Sequence, residues 1–288
     1  MALNLDAVGT RAEPFTVNWT GDDAILYALG VGAGQSDPLS ELDLTTENTD
    51  GVVPRALPTF GIPLVQSRLL RRLPIGDFDR TKLVHADQRL EVHTRVEPWG
   101  SAVVHARVDG LYDKRSGALL VVSAQACDPQ TGEPMWTSTL GYFIRGEGGF
   151  GGDNAPPDGW VDPESAPDHV VETATRPDQA LLYRLVGDRN PLHSDPAFAA
   201  RAGFPRPILH GLCTYGVVHR ALVASEGAGD VSRVRGMYAR FSRPVFPGTL
   251  LRTEVWRSGS DVRFRTKDAD GQTVLDRGRL TFGEGLLS

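Results

Sequence analysis

Residues Tyr183–Tyr215 have the sequence YRLVGDRNPLHSDPAFAARAGFPRPILHGLCTY, and the fold and chemistry of the chain can be worked out from this stretch. Its first part brings Asp188, Asn190 and His193 close together along the chain, with Pro191 between them. Because proline has no amide hydrogen and disfavours a helical conformation in the residue before it, we predict a bent loop here. A carboxylate and an imidazole that converge on one water can share the removal and the delivery of a proton. Asn190 can orient the same water, although loops of this composition are also common as simple turns.

The second part of the stretch predicts a helix. After Pro205 and Pro207, apolar residues recur at helical spacing from Leu209 to Val223, and Gly211 lies near the predicted N-terminus. Free amide hydrogens at a helix start favour negative charge, and glycine allows close approach to the backbone. The N–H of Gly211 is therefore a candidate donor to an enolate oxygen, the alternative being that glycine is needed there for steric reasons alone.

Composition sets the broad class of the protein. A chain of 288 residues with 40% hydrophobic and 23% charged residues holds one large domain or two of roughly 100 to 150 residues. The net charge of −6 argues against nucleic acid or an anionic membrane as the main partner. Cys127 and Cys213 are too few for a disulfide framework and predict buried thiols in a reducing compartment. The start of the chain lacks the pattern of a signal peptide, so we expect a cytoplasmic location.

The two halves of the chain resemble each other. Ile25–Gly30 matches Ala180–Gly187 in its apolar and aromatic pattern, and Thr59-Phe60-Gly61 matches Thr214-Tyr215-Gly216. Similarity at a fixed separation indicates an internal duplication, so each half is predicted to form the same unit.

Each unit is predicted to contain helices followed by a strand meander. The first helix is predicted from Ala24 to about Val31, behind a cap at Asp22 or Asp23, and Glu13–Trp19 is predicted to form an edge strand. Alternation of apolar and polar residues predicts strands in the first half at Gln88–Val96, Ser101–Val108, Ala118–Ala124 and Met135–Arg145. The same pattern predicts strands in the second half at Val234–Ser242, Thr249–Ser258, Val262–Asp268 and Gln272–Phe282.

A segment between the halves is rich in glycine, proline and aspartate. It runs from Gly146 to about Pro167 and predicts a linker. We therefore predict an N-terminal domain over residues 1–145, a linker over 146–167 and a C-terminal domain over 168–288. The fold class is α+β.

The motifs of the second half carry a resemblance to a known family. Gly187-Asp188-x-Asn190-Pro191-Leu192-His193 is followed by Ile208-Leu209-His210-Gly211 and later by Ala239-Arg240-Phe241. In these motifs the chain resembles the R-specific 2-enoyl-CoA hydratases, also called MaoC-like dehydratases, and it is similar to the hydratase part of peroxisomal multifunctional enzymes. The resemblance implies a double hot-dog fold, in which two repeats each wrap an antiparallel sheet around a helix.

The resemblance also implies an activity and a set of site residues. The activity is the reversible hydration of a trans-2-enoyl-CoA to an (R)-3-hydroxyacyl-CoA in fatty-acid or related lipid metabolism. It implies an acyl-CoA substrate, no metal or organic cofactor, and a homodimer. The catalytic residues would be Asp188, Asn190, His193 and Gly211. Substrate contacts would come from both halves, at His85, Ala86, Lys114, Arg189, Pro191, Leu192 and Phe241. Lys114 and Arg240 are chemically suited to bind CoA phosphates, the alternative being that each is a solvated surface charge. Ala86 departs from the family pattern, which usually has His-Gly-Glu-Gln where this chain has His85-Ala86-Asp87-Gln88.

The duplication is uneven in a way that predicts which half is catalytic. Where the second half has Asp188 and His193, the aligned first half has Gly32 and Asp37, so it lacks an acid and imidazole pair. We expect the first half to accommodate the acyl chain, which would be medium, long or bulky, because it carries small residues there: Gly30, Gly32 and Gly34.

Two other functions use the same sequence features. A hot-dog thioesterase would hydrolyse an acyl-CoA with the same groups, and a non-catalytic module would only bind it. His193 is expected to take a proton from water and Asp188 to protonate the α-carbon, with exchanged or shared roles as the alternative. The seven histidines show neither HxH nor CxxC spacing, which predicts no metal site.

Overall fold

The structure is a computed structural model that describes residues 2–284. Its α-helices are α1 (Gly21–Gly30), α2 (Leu42–Thr45), α3 (Gly61–Leu69), α4 (Gln179–Tyr183), α5 (Pro196–Arg201) and α6 (Gly211–Glu226). Its strands are β1 (Ala2–Leu3), β2 (Phe15–Trp19), β3 (Gly76–Asp77), β4 (Leu83–Val92), β5 (Gly100–Asp113), β6 (Gly117–Cys127), β7 (Pro134–Arg145), β8 (His169–Ala174), β9 (Val234–Phe241), β10 (Leu250–Ser258), β11 (Asp261–Lys267) and β12 (Thr273–Phe282).

Ten strands form one antiparallel sheet in which the duplication is visible. The strand order is β2-β5-β6-β7-β4-β9-β12-β11-β10-β8, so each half of the chain contributes five neighbouring strands in equivalent order. The two halves meet at β4 and β9, where the register runs from Asp87 opposite Arg240 to Glu91 opposite Gly236. The predicted α+β double hot-dog architecture is confirmed, and the two five-stranded halves are continuous through this β4–β9 seam.

Helix α6 lies in the core of the molecule. It is apolar on nearly all sides, as expected for a helix that is covered all round, and its residues from Leu212 to His219 are buried. The hydroxyl of Tyr215 donates a hydrogen bond of 2.7 Å to the carbonyl of Met237 on β9, which fixes the helix against the seam. Helix α3 is its counterpart in the first half, and Gly61 at its start lies directly against the buried indole of Trp136.

Two local predictions need correction. The cap of α1 is Thr20, not Asp22 or Asp23: the side-chain oxygen of Thr20 accepts from the amide of Asp23, and the Asp23 carboxylate accepts in return from the amide of Thr20. This reciprocal pairing satisfies two amides at once, which a single aspartate cap does not. Strand β4 ends at Val92 rather than Val96, because the amides of His93 and Thr94 both turn to the carbonyl of Met135.

The predicted linker has a defined position. Asp158 pairs with Arg277 of β12, Asp162 pairs with Arg265 of β11, and the indole of Trp256 donates to the carbonyl of Ser165. The segment therefore lies across the strands of the second half and is held there by side-chain contacts. The three predicted domain boundaries stay a prediction.

Membrane insertion was not expected from the sequence. None of the helices formed within residues 2–284 is long and apolar enough to cross a membrane.

Candidate active site

The loop after α4 has the bent form that Pro191 predicts. Gly187 has a φ of 135°, a conformation that favours glycine, and it turns the chain out of the preceding helical segment. The amide of Asn190 donates to the Asp188 carboxylate at 3.1 Å, and the Asn190 side-chain oxygen accepts from the amide of Leu192 at 3.0 Å. Asn190 is exposed and shapes the loop through these bonds. Its proposed action on a water stays a prediction.

The loop places the His193 side chain in the protein interior and leaves one of its ring nitrogens free to accept a hydrogen bond. The side chain is 8% exposed, and its Nδ1 lies 2.9 Å from the carbonyl oxygen of Ile208. A carbonyl can only accept, so Nδ1 carries the hydrogen and Nε2 of the neutral ring is a bare acceptor. Burial lowers the pKa of His193 below its ordinary value, although the nearby Asp188 carboxylate acts in the opposite direction. His193 is thus kept neutral and ready to accept a proton.

A second imidazole lies against the first. The rings of His193 and His210 are stacked with their centroids 3.7 Å apart and their planes 28° apart. His210 Nε2–H donates to the backbone carbonyl of Asp188 at 3.2 Å. Atoms of the Asp188 carboxylate and of the two imidazoles all lie within 4.8 Å of one another. The carboxylate and imidazole predicted to act together are therefore adjacent.

The first half supplies the wall opposite this group. A β-bulge at Ala86 shifts the register between β4 and β7, and His85 lies beside Tyr142 with ring centroids 5.1 Å apart. The His85 ring also lies 4.9 Å from that of Phe241 on β9. Burial lowers the pKa of His85 to about 4, against the opposing influence of the Asp188 carboxylate. Both halves thus contribute to one site.

Gly211 is the first residue of α6 and adjoins the same group. The first amides of a helix have no partner within the helix, and His210 at the N-cap makes no side-chain bond to them. A Cβ at Gly211 would lie 3.2 Å from the Phe241 ring, so the aromatic side chain packs tightly over this position. The amide end of α6 therefore faces the site without a side chain of its own.

Several predicted substrate contacts lie away from this group. Arg189 and Pro191 are exposed on the loop and Leu192 is half-buried. Lys114 is exposed in the turn between β5 and β6. Arg240 lies opposite Asp87 on the β4–β9 seam, on the other face of the sheet from Phe241, because neighbouring strand residues point to opposite faces. Of the predicted substrate residues, His85 and Phe241 are those that the structure places at the site, and Ala86 follows His85 at the bulge of β4.

The expectation that three glycines leave acyl room is wrong. A Cβ at Gly30 would lie 3.5 Å from the backbone of Tyr183, and one at Gly32 would lie 3.1 Å from Gln35. At Gly34 the neighbouring atom is 3.5 Å away, in Thr45. Glycine is needed at these positions for close packing and, at Gly32 and Gly34, for a positive φ. The absence of side chains there does not mark an open pocket.

Sequence reasoning missed two residues of the site. His210 precedes Gly211 at the predicted helix start, but no local pattern shows that its ring reaches the Asp188 carbonyl. Tyr142 gives no signal in the sequence, because its approach to His85 depends on the register of β4 against β7. The adjacency of a histidine to that helix start was the one signal that could have indicated His210.

The three clustered side chains are of types that can bind a metal ion, which the sequence spacing did not predict. His193 Nδ1 and His210 Nε2 are both engaged with backbone carbonyls. The two remaining nitrogens belong to stacked rings whose planes are 28° apart, whereas the lone pairs of ligands to one ion must converge on a single point. The donor set fits a metal ion poorly, and the absence of a cofactor stays a prediction. Fold and site together define a double hot-dog protein with a carboxylate and two imidazoles beside a helix N-terminus.

Comparison with known proteins identifies the family. A model described as MaoC like domain matches residues 161–277, and one described as MFE-2 hydratase 2 N-terminal domain matches residues 17–146. The 3-hydroxyacyl-thioester dehydratase Y of Mycobacterium tuberculosis is 41% identical over 99% of this chain and 100% of its own. The peroxisomal enoyl-CoA hydratase 2 of Arabidopsis thaliana is 37% identical over 88% of this chain and 87% of its own. The chain therefore belongs to the MaoC-like dehydratase family.

Solved structures agree with this assignment. A MaoC-like dehydratase from Phytophthora capsici has a TM-score of 0.85 and 30% identity, and the match covers 97% of this chain and 98% of that one. The full-length peroxisomal multifunctional enzyme type 2 of Drosophila melanogaster has a TM-score of 0.79 and 32% identity, covering 95% of this chain and 48% of that one.

Proposed function

We propose that the protein is a hydro-lyase that reversibly adds water to a trans-2-enoyl-CoA to give an (R)-3-hydroxyacyl-CoA. The observation that carries the proposal is the grouping of the Asp188 carboxylate and the His193 imidazole within 4.8 Å, beside the uncapped start of α6. Relatives whose names include enoyl-CoA hydratase and 3-hydroxyacyl-thioester dehydratase support it.

The pair can carry out the proton transfers of hydration. Nε2 of His193 takes a proton from water while the water oxygen bonds to the β-carbon of the enoyl group, and Asp188 delivers a proton to the α-carbon. The electrons of the carbon–carbon double bond pass through the thioester carbonyl as an enolate and return to form the new carbon–hydrogen bond. His193 then returns its proton to Asp188. The two groups act on one water, so their roles can also be exchanged.

The enolate needs a donor, and the start of α6 can supply it. Negative charge develops on the thioester oxygen in the transition state, and a preorganised amide that meets this charge lowers the barrier. The Gly211 amide is the first of the helix, where the partial positive charge of the dipole is concentrated. We assign it the role of enolate donor. We further propose that the reaction uses no cofactor, since acid–base chemistry accounts for every bond made and broken.

Product analysis tests the reaction class. Incubation with an enoyl-CoA is expected to remove the absorbance of the conjugated double bond without releasing free CoA. Free CoA would instead indicate a thioesterase, and no change would indicate a binding module. A heat-denatured sample of the same protein controls for spontaneous hydration.

The stereochemistry of the product tests the arrangement of the pair. If Asp188 and His193 act from one face of the enoyl plane, water and proton add to that face, and the similarity to R-specific hydratases leads us to expect the R alcohol. Chiral chromatography of the hydrolysed 3-hydroxyacyl product decides the matter, and an S product would contradict the proposed orientation.

We also propose that the acyl group is medium, long or bulky. The support is that the first half brings aromatic rings to the site, with Tyr142 beside His85 and His85 beside Phe241, and such surfaces favour apolar groups. Burial of each further methylene contributes up to about 0.8 kcal/mol, so kcat/KM is expected to rise from the four-carbon enoyl-CoA towards about eight carbons. A steady fall of kcat/KM with chain length would show this proposal to be wrong.

Two further properties are proposed. Leu181 and Leu185 are exposed one helical turn apart, and such an apolar surface is suited to contact between two copies, so we propose a homodimer. Sedimentation of the protein will measure its mass.

The buried, unpaired thiols of Cys127 and Cys213 are compatible with a reducing compartment, and we propose the cytoplasm.

A further inference from the structure

His210 occupies the N-cap of α6 but does not cap it. Serine, threonine, aspartate and asparagine are preferred at this position because their oxygens accept from the free amides of the first turn. The imidazole of His210 makes no such bond and reaches instead to the carbonyl of Asp188. An oxygen at the N-cap would occupy amides next to Gly211, where the enolate is to be bound. The histidine therefore keeps the helix start available and attaches the catalytic loop to it.

The same ring covers one face of the proposed base. His210 is 1% exposed and stacks on His193 at 3.7 Å, and its Nδ1 is buried without a hydrogen-bond partner among the described residues. Burial, with a smaller effect of His193, lowers the pKa of His210 to about 3. The ring is thus uncharged over the physiological range and does not repel the imidazolium that forms on His193. It also excludes water from that face of His193, whose own pKa is lowered by burial.

We propose that His210 is a positioning residue of this site, which holds the Asp188 carbonyl through Nε2–H and fixes the environment of His193 by stacking. The proposal rests on the hydratase function. It assigns two separable tasks to one side chain: a hydrogen bond that places the Asp188 loop, and a ring that shields His193.

Other charged or titratable groups face this pair. Asp188 acts on His193 from the loop, and Arg184 acts on His210 from the turn before it. Tyr183 lies 5.0 Å from the His210 ring, and His85 approaches from β4 within the influence of Asp188. These groups are common to every variant compared below, so differences between variants report on His210 itself.

Two substitutions separate the two tasks. His210→Phe keeps a stacking ring but loses the donor, whereas His210→Gln keeps a donor of similar reach but loses the ring. Misplacing a reacting group by about 1 Å can cost about 100-fold, so we expect His210→Phe to lower kcat by about that factor. His210→Gln should lose less than about tenfold, since the Asp188 carbonyl keeps its partner.

The pH dependence of kcat/KM should respond in the opposite way, with a change in His210→Gln and none in His210→Phe. His193 must be neutral to accept a proton, so kcat/KM falls as the pH drops through its lowered pKa. Loss of the shielding ring in His210→Gln admits water, and the acid limb should move upward towards the ordinary histidine value of about 6.5. In His210→Phe the ring remains and the limb should stay in place. NMR titration of the His193 imidazole in the same variants measures its pKa without relying on turnover.

His219 provides a matched control on the same helix. It is fully buried, its pKa is lowered to about 3, and its Nδ1 contacts Thr59 at 3.4 Å instead of the catalytic loop. His219→Gln should lower thermal stability and leave the acid limb and the His193 titration unchanged.

The outcomes are distinguishable. Opposite patterns in His210→Phe and His210→Gln, with no shift in His219→Gln, support the proposal. Equal losses of kcat in both His210 variants, with an unchanged His193 titration, would show that His210 has only a structural role. If the wild-type protein hydrates no enoyl-CoA, the proposed function fails and the role of His210 in that reaction fails with it.

Discussion

Asp188→Asn and His193→Ala are each expected to lower turnover of an enoyl-CoA by roughly 100- to 10,000-fold, the range that one general acid or base contributes. Asparagine cannot hold and release the proton that reaches the α-carbon. Alanine removes the bare Nε2 that the hydrogen bond of Nδ1 to Ile208 leaves free. Steady-state kinetics, with circular dichroism to verify folding, measure the effect.

A double variant that combines Asp188→Asn with His193→Ala, and two control variants, make this test more specific. The losses should not multiply, because the two groups act on one water and removing either disables the unit. Asp195→Asn is a matched control in the same loop, since Asp195 caps α5 through the amides of Ala197 and Phe198 and asparagine caps equally well. His105→Ala, at an exposed position on β5, controls for loss of an imidazole. A folded His193→Ala protein with near-normal turnover would refute the mechanism.

The stability of the protein is expected to fall steeply in mild acid. Burial lowers the pKa of His85 to about 4 and those of His210 and His219 to about 3. In the unfolded chain these groups take up protons near pH 6.5, whereas the folded protein keeps them neutral, so stability present above pH 6.5 is lost as the pH falls towards these values. For three such groups, the free energy of unfolding should fall by roughly 3 kcal/mol between pH 6 and pH 5.

Urea denaturation across this pH range measures the slope. His219→Gln should remove about one third of the dependence, because glutamine does not titrate. A free energy of unfolding that is flat from pH 6 to pH 5 would contradict the assigned burial effects.

Local chemistry explains which parts of the fold were predictable. Pro191 fixes its own φ and restricts the residue before it, so the bent loop followed from the sequence. Gly187 permits the positive φ at which the chain leaves the preceding helical segment. In β5 to β7 and β9 to β12, apolar residues alternate with polar ones because one face of each strand is buried. The sequence therefore predicts the ends of these strands to within about five residues.

The parts that failed depend on contacts between distant segments. The sequence indicates that β4 is a strand but does not indicate the bulge at Ala86, which is defined only by its register against β7. Gly30 and Gly32 likewise suggested room for an acyl chain. The sequence around them does not show that Tyr183 and Gln35 occupy that space in the fold. Asp188 and His193 were predictable because they are close in the chain. His210 was not, because it reaches them only through the fold.

The β4–β9 seam has a consequence for the independence of the two halves. A fragment that contained only the second half would leave β9 as an open sheet edge, with its amides and carbonyls free to pair with another copy. It would also lack the wall of the site that His85 and Tyr142 provide from across the seam. The half that carries the reactive groups is therefore not a minimal enzyme. Both halves are needed together, because one covers the sheet edge of the other and each contributes part of the lining of the site.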